Sequence, residues 1–161
     1  LLAGCATFGE APGPKAVANL ASTKGNSASG TVTFEQRGGK VRVSGTVTGL
    51  KPNAEHGFHV HEKGDCSSGD GMSAGGHFNP LGKGHGHMSN VGKHAGDLPN
   101  LRADAYGVAA FSVEADGITV GSGATDIVGR GLIVHRDPDD YKSQPVGNAG
   151  PRLACAVIAK G

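Results

Sequence analysis

Thr31-Val32-Thr33-Phe34-Glu35 and Val41-Arg42-Val43-Ser44-Gly45-Thr46-Val47 decide the fold. Apolar and polar side chains alternate in both, the period-two pattern of a strand with one buried face. Arg37-Gly38-Gly39-Lys40 lies between them, and a Gly-Gly pair signals a tight hairpin. The same reading extends outward. Val17 to Ser22 forms a strand ahead of the hairpin. After the break at Leu50-Lys51-Pro52-Asn53, His56 to Glu62 alternates His59 and His61 with Phe58 and Val60. Strands resume at Leu101 to Ala105 and Val108 to Glu114, joined near Tyr106-Gly107. Ile127 to His135 and Arg152 to Ala159 complete the set. About eight strands and no convincing helix predict an all-β antiparallel sandwich or flattened barrel. Two long loops, Lys63 to Pro99 and Arg136 to Pro151, interrupt it. A loop as long as the first belongs in a compact domain only when it is functional or cross-linked.

Composition agrees with that class. The chain has 161 residues with 29 Gly and no Trp, which suits one domain and disfavours a helical bundle, since glycine costs about 1 kcal/mol in a helix interior. A formal net charge of +1 gives no bulk attraction to nucleic acid or an acidic membrane. No stretch is long enough to span a bilayer. The cysteines are Cys5, Cys66 and Cys155. Cys66 and Cys155 are candidates for a disulfide, which implies an oxidising compartment; two buried free thiols are the alternative. The bridge would close a loop of roughly 90 residues, worth about 4–5 kcal/mol by chain entropy. Cys5 sits in Leu2-Ala3-Gly4-Cys5, which resembles the lipobox of bacterial lipoproteins, where the cysteine is lipidated after signal cleavage. Residues 1–15 then read as a lipobox remnant and flexible tether, and 16–161 as the folded domain.

Seven of the eight histidines fall between His56 and His94. His59 and His61, two apart on a strand, project to the same side and can reach one metal. His77, His85, His94 and Asp97 offer three imidazoles and a carboxylate, a closed four-coordinate shell that suits structural zinc. A loosely scavenging histidine-rich loop is the bland alternative. Lone surface histidines, arginines or lysines are more often solvated than functional.

Four blocks carry a resemblance: Gly57-Phe58-His59-Val60-His61-Glu62, Gly76-His77-Phe78-Asn79-Pro80, His94-Ala95-Gly96-Asp97-Leu98 and Gly147-Asn148-Ala149-Gly150-Pro151-Arg152-Leu153-Ala154-Cys155. They resemble, in family order, the signature blocks of the copper–zinc superoxide dismutases. The family implies an eight-stranded antiparallel Greek-key sandwich or flattened barrel. It implies His59, His61, His77 and His135 as copper ligands, and His77, His85, His94 and Asp97 as zinc ligands, with His77 shared. It makes copper, as Cu(II) and Cu(I), and zinc the cofactors and superoxide the substrate, converted to oxygen and hydrogen peroxide. His77 and Arg152 are then the catalytic side chains, Arg152 holding the anion.

Asp139 matches the aspartate that links a copper histidine to a zinc histidine, with Asp140 as its rival by one position. His56 is expected to bond across loops, and His87 has no family role. Lys63, Lys83 and Lys142 are candidates for steering the anion. Cys66 follows His61 by five residues, closer than in the eukaryotic enzymes, and the loop from Asp65 to Ser73 and the brief second loop both resemble the bacterial periplasmic branch, which includes monomers and dimers. The resulting expectation is a periplasmic or cell-envelope enzyme, held at the membrane only through a lipid on Cys5 and without a nucleic-acid partner. A non-enzymatic copper or zinc carrier on the same fold is the alternative. An adhesive sandwich with structural zinc alone would leave His59, His61 and His135 unexplained.

Overall fold

The computed structural model describes residues 11–161; the lipidation expected at Cys5 lies outside the described residues. The hairpin forms where the alternation places it. Strand β2 (Ser29–Arg37) pairs antiparallel with β3 (Lys40–Thr48), and Arg37 opposite Lys40 closes the ladder around Gly38-Gly39. Gly38 has φ 57°, a left-handed conformation that glycine adopts without steric cost. Val32 and Phe34 on β2 and Val41, Val43 and Val47 on β3 are fully buried. Each such side chain stabilises the fold by roughly 1.5–3 kcal/mol.

Strand β1 (Lys15–Ser22) pairs with β2 on one side, and on the other with β9 (Arg152–Lys160), so the two ends of the domain lie side by side. Strand β8 (Gly131–His135) follows β9, and β5 (Phe58–His61) follows β8. Strand β7 (Ala109–Ala115) pairs with β3 at the opposite edge. The seven-stranded order is β5-β8-β9-β1-β2-β3-β7. A two-stranded piece, β4 (Glu55–His56) with β6 (Leu101–Arg102), stands apart.

The eight sequence runs therefore yield nine strands, because His56 to Glu62 divides at Gly57. There the backbone leaves β4, and Gly57 N–H donates to Asp137 O at 2.8 Å. Two runs are shorter than expected. Ile127 to His135 becomes a strand only at Gly131, since Ile127 to Arg130 turns, with Arg130 N–H donating to Ile127 O at 3.0 Å. Leu101 to Ala105 stops after Arg102 because the Asp104 carboxylate accepts from Tyr106 and Val108 N–H at 2.8 and 3.0 Å, closing a turn. The pairing also starts earlier than Val17, with Gly13 N–H donating to Gln36 O at 2.9 Å. The first long loop carries one 3-10 turn, Met72–Ala74. Among the described residues no helix is long and apolar enough to cross a membrane.

Strands β5 and β8 are buried along their whole length. One face of β5 gives Phe58 and Val60 to the core. The other presents His59 and His61 beneath the two loops, and this doubly covered strand is the base of the site.

Candidate metal centre

His59, His61, His77 and His135 bring one ring nitrogen each to within 4.8 Å of one another, all four residues buried. The outward nitrogens are committed elsewhere. His61 Nδ1 donates to Gly75 O at 2.9 Å, and His135 Nδ1 to Gly150 O at 3.0 Å. His59 Nε2 donates to Asp139 Oδ2 at 2.8 Å. His77 Nδ1 faces Asp97 Oδ1 at 2.9 Å. The inward set is thereby fixed as His59 Nδ1, His61 Nε2, His77 Nε2 and His135 Nε2. Two of these, His59 Nδ1 and His77 Nε2, are buried polar atoms without a hydrogen-bond partner among the described residues. An unsatisfied buried polar group costs about 1–3 kcal/mol. A metal ion coordinated between them removes that cost, and four imidazoles suit copper.

Burial holds these rings neutral, as metal ligation requires. It pushes His77 down to about 4 and His135 down to about 3, with neighbouring imidazoles adding to the shift. His61 is also held well below the ordinary value, by burial first and then by His77, His135 and Arg152.

The second cluster is tighter. His77 Nδ1 and His85 Nδ1 each lie 2.9 Å from Asp97 Oδ1. His94 Nδ1 lies 3.3 Å from both Asp97 Oδ1 and His77 Nδ1. A tetrahedral zinc with ligands at about 2.0 Å has ligand–ligand edges of roughly 3.3 Å, so the four atoms fit that ion. Asp97 Oδ2 accepts from Gly86 and His94 N–H at 3.1 and 3.0 Å, which leaves Oδ1 for the metal. Gly96 lets this loop press onto β5: a Cβ there would strike the Val60 carbonyl. Gly96 O instead accepts from Val60 N–H at 2.9 Å. His77 belongs to both clusters.

Asp139, not Asp140, joins them. Its Oδ2 accepts from His59 Nε2 and its Oδ1 from His85 Nε2, both at 2.8 Å. Asp140 accepts from Lys142 and Ser143 N–H at 2.9 and 2.8 Å, a local turn. Burial of Asp139 raises its pKa, but the bonds from His59 and His85 outweigh that and hold the carboxyl low. For His85, bonds to Asp139 and Asp97 overcome burial and push the ring up.

The sequence reading missed the groups behind Asp139. Asn100 Oδ1 accepts from Asp139 N–H at 2.9 Å and Asn100 Nδ2 donates to Asp139 O at 3.1 Å. Gln144 clamps His85, accepting from its N–H at 2.7 Å and donating to its carbonyl at 2.9 Å. Isolated amides carry no spacing signal, although Asn100 lies only three residues from Asp97. Gly147 leaves the space that Asp139 and His85 occupy, since a Cβ there would overlap Asp139 Oδ1.

Residues 28–158 match the sequence profile of the family described as copper/zinc superoxide dismutase. The chain belongs to the copper/zinc superoxide dismutase family. A superoxide dismutase [Cu-Zn] of Paramecium bursaria Chlorella virus 1 is 43% identical over 135 residues, covering 80% of this chain and 71% of that protein. A crystal structure of the clock protein EA4 superposes with TM-score 0.83 at 42% identity, covering 99% of each chain. The copper and zinc sites of a copper/zinc superoxide dismutase are thus His59, His61, His77 and His135, and His77, His85, His94 and Asp97.

The rest of the dismutase centre assembles around them. Cys66 and Cys155 form the disulfide, with Cα atoms 5.8 Å apart across 89 residues of sequence. Three residues before Cys155, Arg152 donates from Nη1 to Gly71 O at 2.8 Å and from Nη2 to Gly75 O at 2.6 Å. Arg152, His61 and His135 line one open cavity of about 340 Å³. Lys63, Lys83 and Lys142 are not among its lining residues. His56 bonds across elements, Nδ1 donating to His135 O at 3.0 Å. His87 bonds Ser89 Oγ at 2.8 Å and packs edge-on against Tyr141, outside both clusters.

Proposed function

We propose that this chain dismutates superoxide to oxygen and hydrogen peroxide. The observation that carries the reading is two histidine clusters sharing His77, with Arg152 in the same open cavity as two copper histidines. Copper, when bound, supplies the one-electron couple that oxidises one superoxide and reduces the next. The chain's residues do the rest. Arg152, tethered through two backbone carbonyls, keeps further guanidinium N–H groups to orient an anion. His61, His77 and His135 stay neutral, so they compete for no anion themselves. His77 Nε2, buried and without another partner, is the atom beside the copper position where a proton can be held for the peroxide. Asp139 fixes the His59 and His85 rings together, so the two half-sites keep one geometry.

We further propose that this is a dismutase of the bacterial periplasmic type, with the residues ahead of Gly13, where pairing to the sheet begins, as a tether lipidated at Cys5. Support comes from Leu2-Ala3-Gly4-Cys5, from the short spacing between His61 and Cys66, and from a disulfide that suits an oxidising compartment. The function is tested by superoxide decay with copper- and zinc-loaded protein beside His135→Ala. Fast decay with the parent protein and loss in the variant is expected. Decay no faster than without protein would sink the enzyme reading and favour a metal carrier. The anchor is tested by mass spectrometry of membrane-derived protein, where an unmodified Cys5 would remove it.

A further inference from the structure

Met72 is a large apolar side chain left 60% exposed. Its position is unusual for that chemistry. The cavity that holds His61, His135 and Arg152 measures about 340 Å³. A neighbouring cleft of about 360 Å³ is lined by Thr23, Lys24, Asp70 and others. Met72 and Arg152 are the two residues common to both. They stand together where the two cavities adjoin, on the open side of the copper histidines His61 and His135.

The backbone beneath Met72 is pinned. Met72 N–H donates to Asp70 Oδ1 at 2.9 Å, and its carbonyl accepts from Gly75 N–H at 3.1 Å. The carbonyls on either side of this 3-10 turn, Gly71 O and Gly75 O, are the two that hold the Arg152 guanidinium. A chemical change at the Met72 sulfur therefore leaves the turn in place and acts on the space beside Arg152. The only other methionine, Met88, is half-buried on the zinc loop and lines neither cleft.

We propose that Met72 is a peroxide-modified site that throttles anion access to the copper centre. The Met72 sulfur donates an electron pair to one oxygen of hydrogen peroxide. An S–O bond forms, the O–O bond breaks, and the second oxygen leaves as water after proton transfer. The sulfur is oxidised by two electrons and the peroxide is reduced by two. The product is a polar sulfoxide whose oxygen is a strong hydrogen-bond acceptor. Beside Arg152 it competes with an incoming anion for guanidinium N–H groups. The peroxide is the product of the dismutation proposed above, so in the cell the device rests on that reading. The modification is reversible, because sulfoxide reductases restore the thioether.

The test adds hydrogen peroxide to the zinc-loaded protein, removes it, and then supplies copper, so oxidation at Met72 is read apart from turnover and from copper–peroxide chemistry at the histidines. Peptide mass spectrometry follows the gain of about 16 Da at Met72 and at Met88. Azide binding to the copper-loaded protein measures anion access, and superoxide decay measures rate. Met72 is expected to oxidise ahead of Met88. With Met72 oxidised, azide affinity and rate should both fall about threefold, as expected when a neutral acceptor takes up one of the guanidinium's hydrogen bonds. Treatment with methionine sulfoxide reductases should restore both, and Met72→Leu should hold its own starting values through the same exposure. Oxidation of Met88 before Met72 overturns the proposal. So does complete oxidation of Met72 with unchanged azide affinity, or a loss that Met72→Leu shares and the reductases do not reverse. Azide affinity is measurable even if superoxide decay is not accelerated, so failure of this inference is distinct from failure of the proposed function.

Discussion

The copper half of the centre stands on strands, and the zinc half stands on a loop. His59 and His61 are consecutive same-face residues of β5, and His135 ends β8, which pairs with β5 along its length. Ladder hydrogen bonds and burial on both faces set their spacing. His85, His94 and Asp97 have no ladder of their own. Their positions come from individual contacts: Gln144 on His85, Gly86 and His94 N–H on Asp97 Oδ2, and Gly96 against Val60. One half is preformed by the fold, while the other needs its ion and a few side-chain bonds to keep its shape. His77 belongs to both clusters, and the Asp139 carboxylate accepts from one histidine of each.

The largest effect expected is on the cross-link that ties the first loop to β9. Cys155→Ser removes a bridge across 89 residues and should lower unfolding free energy by about 4–5 kcal/mol, read from denaturant melts. A change below about 1 kcal/mol would mean that the loop is held without it. His94→Ala comes next. Loss of one of four zinc ligands should lower zinc affinity by more than about 100-fold. Amide exchange should rise through residues 83–98 while β5 and β8 keep their protection. Equal loss of protection in β5 would erase the contrast between the halves. Asp139→Asn should lower zinc affinity about 10–100-fold, because the acceptor that orients His85 is weakened. Asn100→Ala acts one step further out. It removes two hydrogen bonds to the Asp139 backbone, and about a fivefold loss of zinc affinity is expected, the low end of about 0.5–1.5 kcal/mol for each bond, because the carboxylate keeps its bonds to His59 and His85.

The same division explains what could be read from the chain alone. Alternation exposed the hairpin from Thr31 to Val47 and the strand holding His59 and His61, because a ladder imposes a period on the residues. The ligand set was legible through its motifs, and Asp139 was separated from Asp140 only by geometry. The break at Gly57 was not legible, since it depends on a bond to Asp137 far along the chain. The early stop after Arg102 depends on one carboxylate folding back on its own turn. Asn100 and Gln144 were silent for a related reason. Each works through backbone contacts between two loops, and such contacts leave no spacing in the sequence. Met72 likewise shows its position only once two clefts are seen to share it.

The central claim is that the two halves share one imidazole. It is tested most directly by loading Cu(II) with His59, His61 and His135, and Co(II) at the cluster of His85, His94 and Asp97, then recording the Cu(II) paramagnetic resonance spectrum. With His77 bound through both nitrogens, the two spins couple across one ring, and the ordinary Cu(II) signal should be lost when Co(II) enters. An unchanged Cu(II) signal, with both ions shown to be bound, would contradict the account.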